Sequence, residues 1–413
     1  MRRAGCMAAV ICVLAGIPSA AAASSADPYC TAAYGGAATQ PGPGLRFGVD
    51  PGIAGSAGGV QLPTVPDDPA KDLAAVRALD PPGRALVVRL NRLFWSDGQA
   101  GIDAFRQQVA LYTGAGFEVE IQVRYHPAQG EAGNLPAWVA YVRHVVDTFA
   151  ANPLVVAMTI TNEVNVTFSP NTSDGAYAGA EDALIQGIVA AHDEAVAKGD
   201  PQLRVGFTYA YRFSPQGDAA FFSYLGAHGG PSFQRALGFV GVDFYPGTIY
   251  PPVMAARDTY RAELAQAAGV VRDCYAPKAG IASSVPIWFT ENGVPTGAMS
   301  DSDQAAALTE LATAACDYAG TFNITDYRWF NLRDSNSNPP ASLAGPTFSS
   351  FGLLRDDYSP KPSFAAYQTE ISACGSRAAS VPRRGSSRPA GRHRRRRHHR
   401  AHSHRHRRVS FTG

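Results

Sequence analysis

Short apolar, β-branched runs alternate along the chain with longer segments in which apolar residues recur at every third or fourth position. The runs are Leu45 to Asp50 (LRFGVD), Ala85 to Leu90 (ALVVRL), Phe117 to Val123 (FEVEIQV), Val155 to Thr161 (VVAMTIT), Arg204 to Tyr209 (RVGFTY), Phe239 to Phe244 (FVGVDF), Pro286 to Thr290 (PIWFT) and Thr325 to Phe330 (TDYRWF). Each reads as a strand. They recur at intervals of roughly thirty to forty-five residues, the length of a strand plus a crossover helix. Pro136 to Phe149 and Ala180 to Lys198 carry the helical spacing between them. Eight strand-helix units predict an α/β fold, a closed (β/α)8 TIM barrel.

Two runs lead into a glutamate, Val155 to Glu163 and Pro286 to Glu291. A charge is costly inside an apolar strand, so each glutamate belongs at a strand's C-terminal tip. In a (β/α)8 barrel those tips share one mouth, where the active site forms. Alone, either glutamate reads as a solvated loop residue or half of an ion pair. Together at matching tips they suit glycosidic bond cleavage, in which two carboxyl groups face each other across one sugar.

Asn162-Glu163 after an apolar strand, with Glu291 ending a later one, resembles the retaining β-glycosidases of glycoside hydrolase clan A, families 5 and 39 among them. The resemblance runs from about Leu45 to Glu370 and includes Phe351-Gly-Leu-Leu-Arg-Asp-Asp-Tyr-Ser-Pro-Lys-Pro-Ser-Phe-Ala-Ala-Tyr367, similar to the lead-in to the last helix in many clan members. It implies that Glu163 is the acid/base and Glu291 the nucleophile, with no metal or organic cofactor required. It also implies that Arg89 hydrogen-bonds the nucleophile and keeps it ionised, that the Tyr245 hydroxyl contacts it, and that Asn162 bonds the 2-hydroxyl of the sugar. Trp329 matches the tryptophan that floors the cleaved sugar, and His126 resembles a substrate-binding histidine of family 5. The competing readings are an ion pair at the rim for Arg89, a turn residue for Tyr245, packing against the last helix for Trp329 and an idle loop residue for His126. One departure matters: Val164 stands where many relatives have proline after Asn-Glu, which weakens assignment to family 5.

The chain has 413 residues, 46% of them hydrophobic, enough for one barrel core with excess at the ends. Residues 1–23 read as a secretory signal peptide, too short to span a membrane, so the expected location is extracellular, with cell-wall association an option. The barrel domain is expected over 24–375. From Arg377 to Arg408 there are thirteen arginines, six histidines and no acid, so 376–413 is expected to be a disordered tail. Setting aside those thirteen and the two arginines of the signal, 21 of the 36 basic residues face 34 acids, and the barrel carries about −13. The tail suits polyanions such as wall polymers, with no specific nucleic acid implied. A monomer with no transmembrane segment is expected. Cys30, Cys274, Cys316 and Cys374 remain after the signal and allow three disulfide pairings; Cys30 with Cys374 and Cys274 with Cys316 are favoured.

Phe94, Trp95, Tyr125, Tyr209 and Tyr211 near strand ends would line sugar subsites or pack the rim, whereas Trp138 and Trp288 read as core. Residues 51–70 and 333–360 are long enough to shape a cleft. The alternative to a hydrolase is a secreted carbohydrate-binding barrel without chemistry, from which the presence of both glutamates distinguishes this chain.

Overall fold

The computed structural model describes residues 32–379 apart from 43, 53–55, 58–59, 62–63, 80–85, 255–258, 298 and 339–345. The signal segment, Cys30 and residues 380–413 of the basic tail lie outside the described residues, whereas 376–379, expected to be disordered, continue the last helix.

All eight expected strands form: β1 Arg46–Asp50, β2 Val87–Phe94, β3 Glu118–Arg124, β4 Val155–Ile160, β5 Arg204–Ala210, β6 Phe239–Phe244, β7 Ile287–Asn292 and β8 Ile324–Phe330. Every neighbouring pair is parallel, and β1 pairs with both β8 and β2, which closes the ring. One main helix follows each strand: α1 Pro69–Leu79, α2 Gly98–Thr113, α3 Leu135–Phe149, α4 Ala180–Ala197, α5 Pro215–His228, α6 Tyr260–Val270, α7 Asp301–Asp317 and α8 Pro362–Ala379. The fold is a (β/α)8 barrel. Helix starts follow local chemistry. The side chains of Asn134, Ser214 and Thr259 cap α3, α5 and α6 by accepting from backbone N–H groups, and Ser300 with Asp303 makes a capping box at α7.

Strand alternation sorts the core into two shells. Val88, Leu90, Ile121, Val123, Met158, Ile160, Phe207, Val242 and Phe289 join one buried apolar cluster with helix residues such as Val142, Ile188, Leu264 and Leu308. The intervening positions fill the barrel with polar groups. Arg328 donates to Asp326 at 2.8 Å and to Glu120 at 3.3 Å, and Glu120 in turn accepts from Thr159 at 2.9 Å and from Arg89 at 3.3 Å. Gly48 leaves room for this ladder, since a Cβ there would collide with the Arg328 side chain and the Val87 carbonyl. Ions taken this far from water cost several kcal/mol each unless fully partnered, so the ladder is held by its completeness.

Two expectations need correction. The disulfide joins Cys316 at the end of α7 to Cys374 on α8, across a sequence separation of 58, so neither favoured pairing forms. Adjacent helices of the ring pack against each other, which brings these two cysteines together. Trp329 is fully buried, its Nε1 donating to the Phe351 carbonyl at 3.1 Å, and it belongs to the outer apolar cluster. It lies one residue from the inward Arg328, so alternation turns it toward the helices and away from any sugar. Trp138 is core as expected, donating to Ala183 O at 2.8 Å, and Trp288 is buried inside the barrel, stacked on Phe239.

Candidate active site

The strand tips converge on one mouth. One carboxyl oxygen from each of Glu163, Asp243 and Glu291 lies within 4.8 Å of the other two. Glu291, near the end of β7, is bound at both oxygens: Arg89 Nη1 donates to Oε1 at 2.7 Å and Tyr245 Oη to Oε2 at 2.6 Å. Arg89 reaches inward from β2 because alternation places it between the outward Val88 and Leu90. Burial pulls its guanidinium toward neutrality, but Glu291, Glu120, Asp243 and Asp50 around it more than offset this and raise its pKa. The Tyr245 hydroxyl is likewise pushed far above its ordinary value, by burial and then by Glu291.

Glu163 sits just beyond β4, half-buried, where left-handed backbone at Thr161 (φ 67°) and at Glu163 itself (φ 46°) ends the strand. Left-handed backbone is uncommon outside glycine, and unfavourable for a β-branched residue. The loop that follows holds the turn down. Asp174 Oδ2 accepts from Asn162 N and Tyr125 N, both at 2.8 Å, while its Oδ1 pairs with Arg124 at 2.9 Å. Ser173 donates to Glu163 Oε2 at 2.6 Å. Burial, then the Glu291 charge, raise the Glu163 carboxyl to about 7, with the Ser173 hydrogen bond pulling the other way.

Asn162 is knotted into this turn. Its Oδ1 accepts from Thr208 Oγ1 at 3.1 Å and its Nδ2 donates to Thr172 O at 2.8 Å, with the Gln122 side-chain amide packed alongside. His126 lies on the same rim with its Nδ1 3.2 Å from Ser96 Oγ and its ring between Phe94 and Tyr177. Of the other rim aromatics, Tyr125, Tyr209 and Tyr211 are buried and form packing. In place of Trp329, Phe330 is the inward aromatic of β8, and it packs with Tyr245 and Phe351. Phe168, five residues past Glu163, is exposed and paired with Phe213 at 4.7 Å.

No family model matches the chain, and neither does any curated protein sequence. Solved structures do. A family 39 glycoside hydrolase from the gut symbiont Bacteroides cellulosilyticus WH2 superposes with a TM-score of 0.53 at 17% identity, covering 80% of this chain and 64% of that one. A GH5_18 enzyme from Streptomyces cattleya, solved with GlcNAc, gives 0.55 at 17% identity and covers 80% of each. An exo-β-1,4-mannosidase from Opitutaceae bacterium strain TAV5 gives 0.56 at 14% identity, covering 84% of this chain and 64% of that one. The barrel is shared with glycoside hydrolases. At this identity the likeness concerns the fold, and the chain spans just under two thirds of the first and third of these proteins.

Several residues of the site escaped the sequence reading. Asp243 sits on β6 one residue before Phe244, and Thr290 Oγ1 donates to its Oδ1 at 2.7 Å. Asp50 ends β1, where Asn91 Nδ2 donates to it at 2.5 Å and Gly52 N at 2.8 Å; burial raises its carboxyl to about 7 against the pull of Arg89. An acid inside an apolar strand was the available signal for both. Ser173, in a loop of polar residues, carried none. Glu163, Asp243 and Glu291 are close enough to share a cation, but Arg89, 2.7 Å from Glu291, already supplies positive charge there.

Proposed function

We propose that the protein is a retaining β-glycosidase. The observation that carries this reading is the pair Glu163 and Glu291, with oxygens within 4.8 Å at one barrel mouth and unlike surroundings. A separation near 5 Å suits double displacement, whereas inversion needs about 6.5–9.5 Å to admit a water.

Glu291 is the nucleophile. Arg89 and Tyr245 donate to its two oxygens, so the carboxylate is oriented and its charge is compensated before it attacks the anomeric carbon. Glu163, with its carboxyl raised to about 7, holds a proton near neutral pH and donates it to the leaving oxygen. Once Glu291 is esterified its charge is gone, the Glu163 pKa falls, and the resulting carboxylate activates the water that releases the sugar with retained configuration. Asn162 orients the turn that carries Glu163 and faces the 2-hydroxyl. Phe330, with Tyr245 and Phe351, supplies the apolar wall for the C–H face of the ring. His126 and the Phe168–Phe213 pair border the leaving-group side, since they flank the loops around the proton donor. The chemistry needs no cofactor.

The barrel domain of residues 24–375 is exported by its N-terminal signal and held at anionic wall polymers by its arginine-rich tail. The Cys316–Cys374 disulfide fits an oxidising compartment, and no helix among the described residues is long and apolar enough to cross a membrane. The test of function is a panel of aryl β-glycosides and β-linked disaccharides, followed by NMR of the freshly released anomer. Manβ1-4GlcNAc, the ligand in a GH5_18 structure of similar fold, belongs in that panel. Release of the β-anomer first supports the reading, and release of the α-anomer first contradicts it.

A further inference from the structure

Arg92 is a cation in the mouth that no acid among the described residues holds. Leu90 and Leu93 of β2 both join the outer apolar cluster, and the pairing of β2 with β3 shifts register between them. The two residues in between form a bulge that turns inward, a device that re-aims side chains beside active sites. Asn91 uses the turn to reach Asp50. Arg92 lies up to about 10 Å of strand nearer the rim than Arg89, the arginine bound to Glu291. It is half-buried, yet among the described residues it makes no hydrogen bond or ion pair. Its nitrogens are not enclosed, in contrast to Nε of Arg212 and Nε of Arg333, so the guanidinium meets the solvent of the mouth.

The charged groups around Arg92 are Asp50, Arg124, Glu291 and Asp67, from β1, β3, β7 and the loop after β1. Each is committed elsewhere. Glu291 accepts from Arg89 and Tyr245, Asp50 from Asn91 and from Gly52 N, and Asp67 pairs with Arg333 at 2.7 Å. Arg124 gives Nε to Asp174 and Nη2 to Thr172 O, both at 2.9 Å, with its guanidinium over the Phe94 ring. Arg92 therefore keeps a full set of free donors next to a second cation. Burial lowers its pKa, and the attraction of Asp50 does not make up the difference. A guanidinium stays charged at neutral pH all the same, and its planar fork matches the two oxygens of a carboxylate or sulfate.

We propose that Arg92 binds an anionic group carried by the sugar at the nucleophile, the carboxylate of a hexuronic acid or a sulfate ester, and so selects acidic glycosides. This rests on the glycosidase reading, in which Glu291 marks where that sugar sits.

The proposal is read as a ratio within one protein. For 4-nitrophenyl β-D-glycosides in gluco, galacto and manno forms, kcat/KM for a hexuronide or a 6-sulfate is expected to exceed that of the matching neutral sugar about tenfold or more. In Arg92→Met the ratio is expected to fall to about one or below, with Arg92→Lys, which keeps the charge but loses the fork, in between. The anion whose advantage Arg92 carries tells a uronide from a sulfated sugar. Neutral sugars cleaved as fast as every acidic one, or a ratio unmoved in Arg92→Met, overturn the proposal and leave the glycosidase reading standing. Binding is read without turnover: in NMR titrations the wild type is expected to hold a methyl hexuronide or 6-sulfate more tightly than its neutral counterpart, an advantage absent from Arg92→Met. Acidic sugars held in this way but never cleaved support Arg92 and contradict the glycosidase reading. Equal affinity for acidic and neutral sugars contradicts Arg92.

Discussion

Replacing Glu163 by glutamine should stabilise the protein while stopping catalysis, and the size of the gain follows from the site. The Glu163 carboxyl is raised from 4.5 to about 7 because burial and the nearby Glu291 disfavour its charge. A folded-state pKa above the unfolded one means that the folded protein holds its proton longer. Below pH 4.5 both states are protonated and the group is neutral in both. Between 4.5 and 7 the unfolded chain ionises first, and the wild type loses stability across that window. A tenfold difference in proton affinity between the two states is worth about 1.4 kcal/mol, so the accumulated penalty above pH 7 approaches ~3 kcal/mol. Glutamine carries no charge and keeps an oxygen for Ser173 to donate to, so Glu163→Gln escapes the penalty. Thermal melts of both proteins from pH 4 to pH 8.5 should coincide at the acid end and separate steadily, with the variant melting about 5 °C higher at pH 8. A gap that is constant with pH, or a variant less stable at pH 8, would refute the idea that Glu163 is a strained acid.

Other outcomes follow from the same contacts. Ser173→Ala removes the hydrogen bond that lowers the Glu163 pKa, so the alkaline limb of the kcat/KM profile should move up the pH axis by about 0.5 to 1; a downward displacement contradicts it. Glu163→Ala should retain slow glycosylation of aryl glycosides with good leaving groups and be rescued by azide, whereas Glu291→Ala should be inactive by more than about a thousandfold. Near wild-type activity in the second variant would remove Glu291 as nucleophile. Cys374→Ala should lower stability by about 2–4 kcal/mol, because the cross-link spans a separation of 58 residues, and peptide mapping of the wild type should recover Cys316 linked to Cys374.

The strands were legible in the sequence, since apolar runs in an all-parallel ring are buried on both faces and bounded by polar turns. The positions of Glu163 and Glu291 were legible with them, because a charge closing such a run can go only to the tip. Face and neighbourhood were harder to read. Trp329 lies near a strand end and so suggests the mouth, but Arg328 beside it has to enter the barrel to meet Glu120 and Asp326, which turns the tryptophan outward. The register of β6 against β7 shifts between Val242 and Asp243, so simple alternation along β7 does not give the direction of Glu291. Pairing Cys30 with Cys374 would tie the chain ends, yet α7 and α8 are neighbours in any such ring, and it is their cysteines that join. Ser173 belongs to an irregular loop, whose contacts no periodicity announces.

Double displacement requires Glu291 to form a covalent bond to the sugar. Incubation with 2-deoxy-2-fluoro-β-glycosides bearing a dinitrophenyl leaving group, in gluco, manno, galacto and xylo forms, followed by proteolysis and mass spectrometry, tests this directly. A stable glycosyl adduct on the peptide containing Glu291, lost in Glu291→Gln, is the expected result. An adduct on any other residue would contradict it.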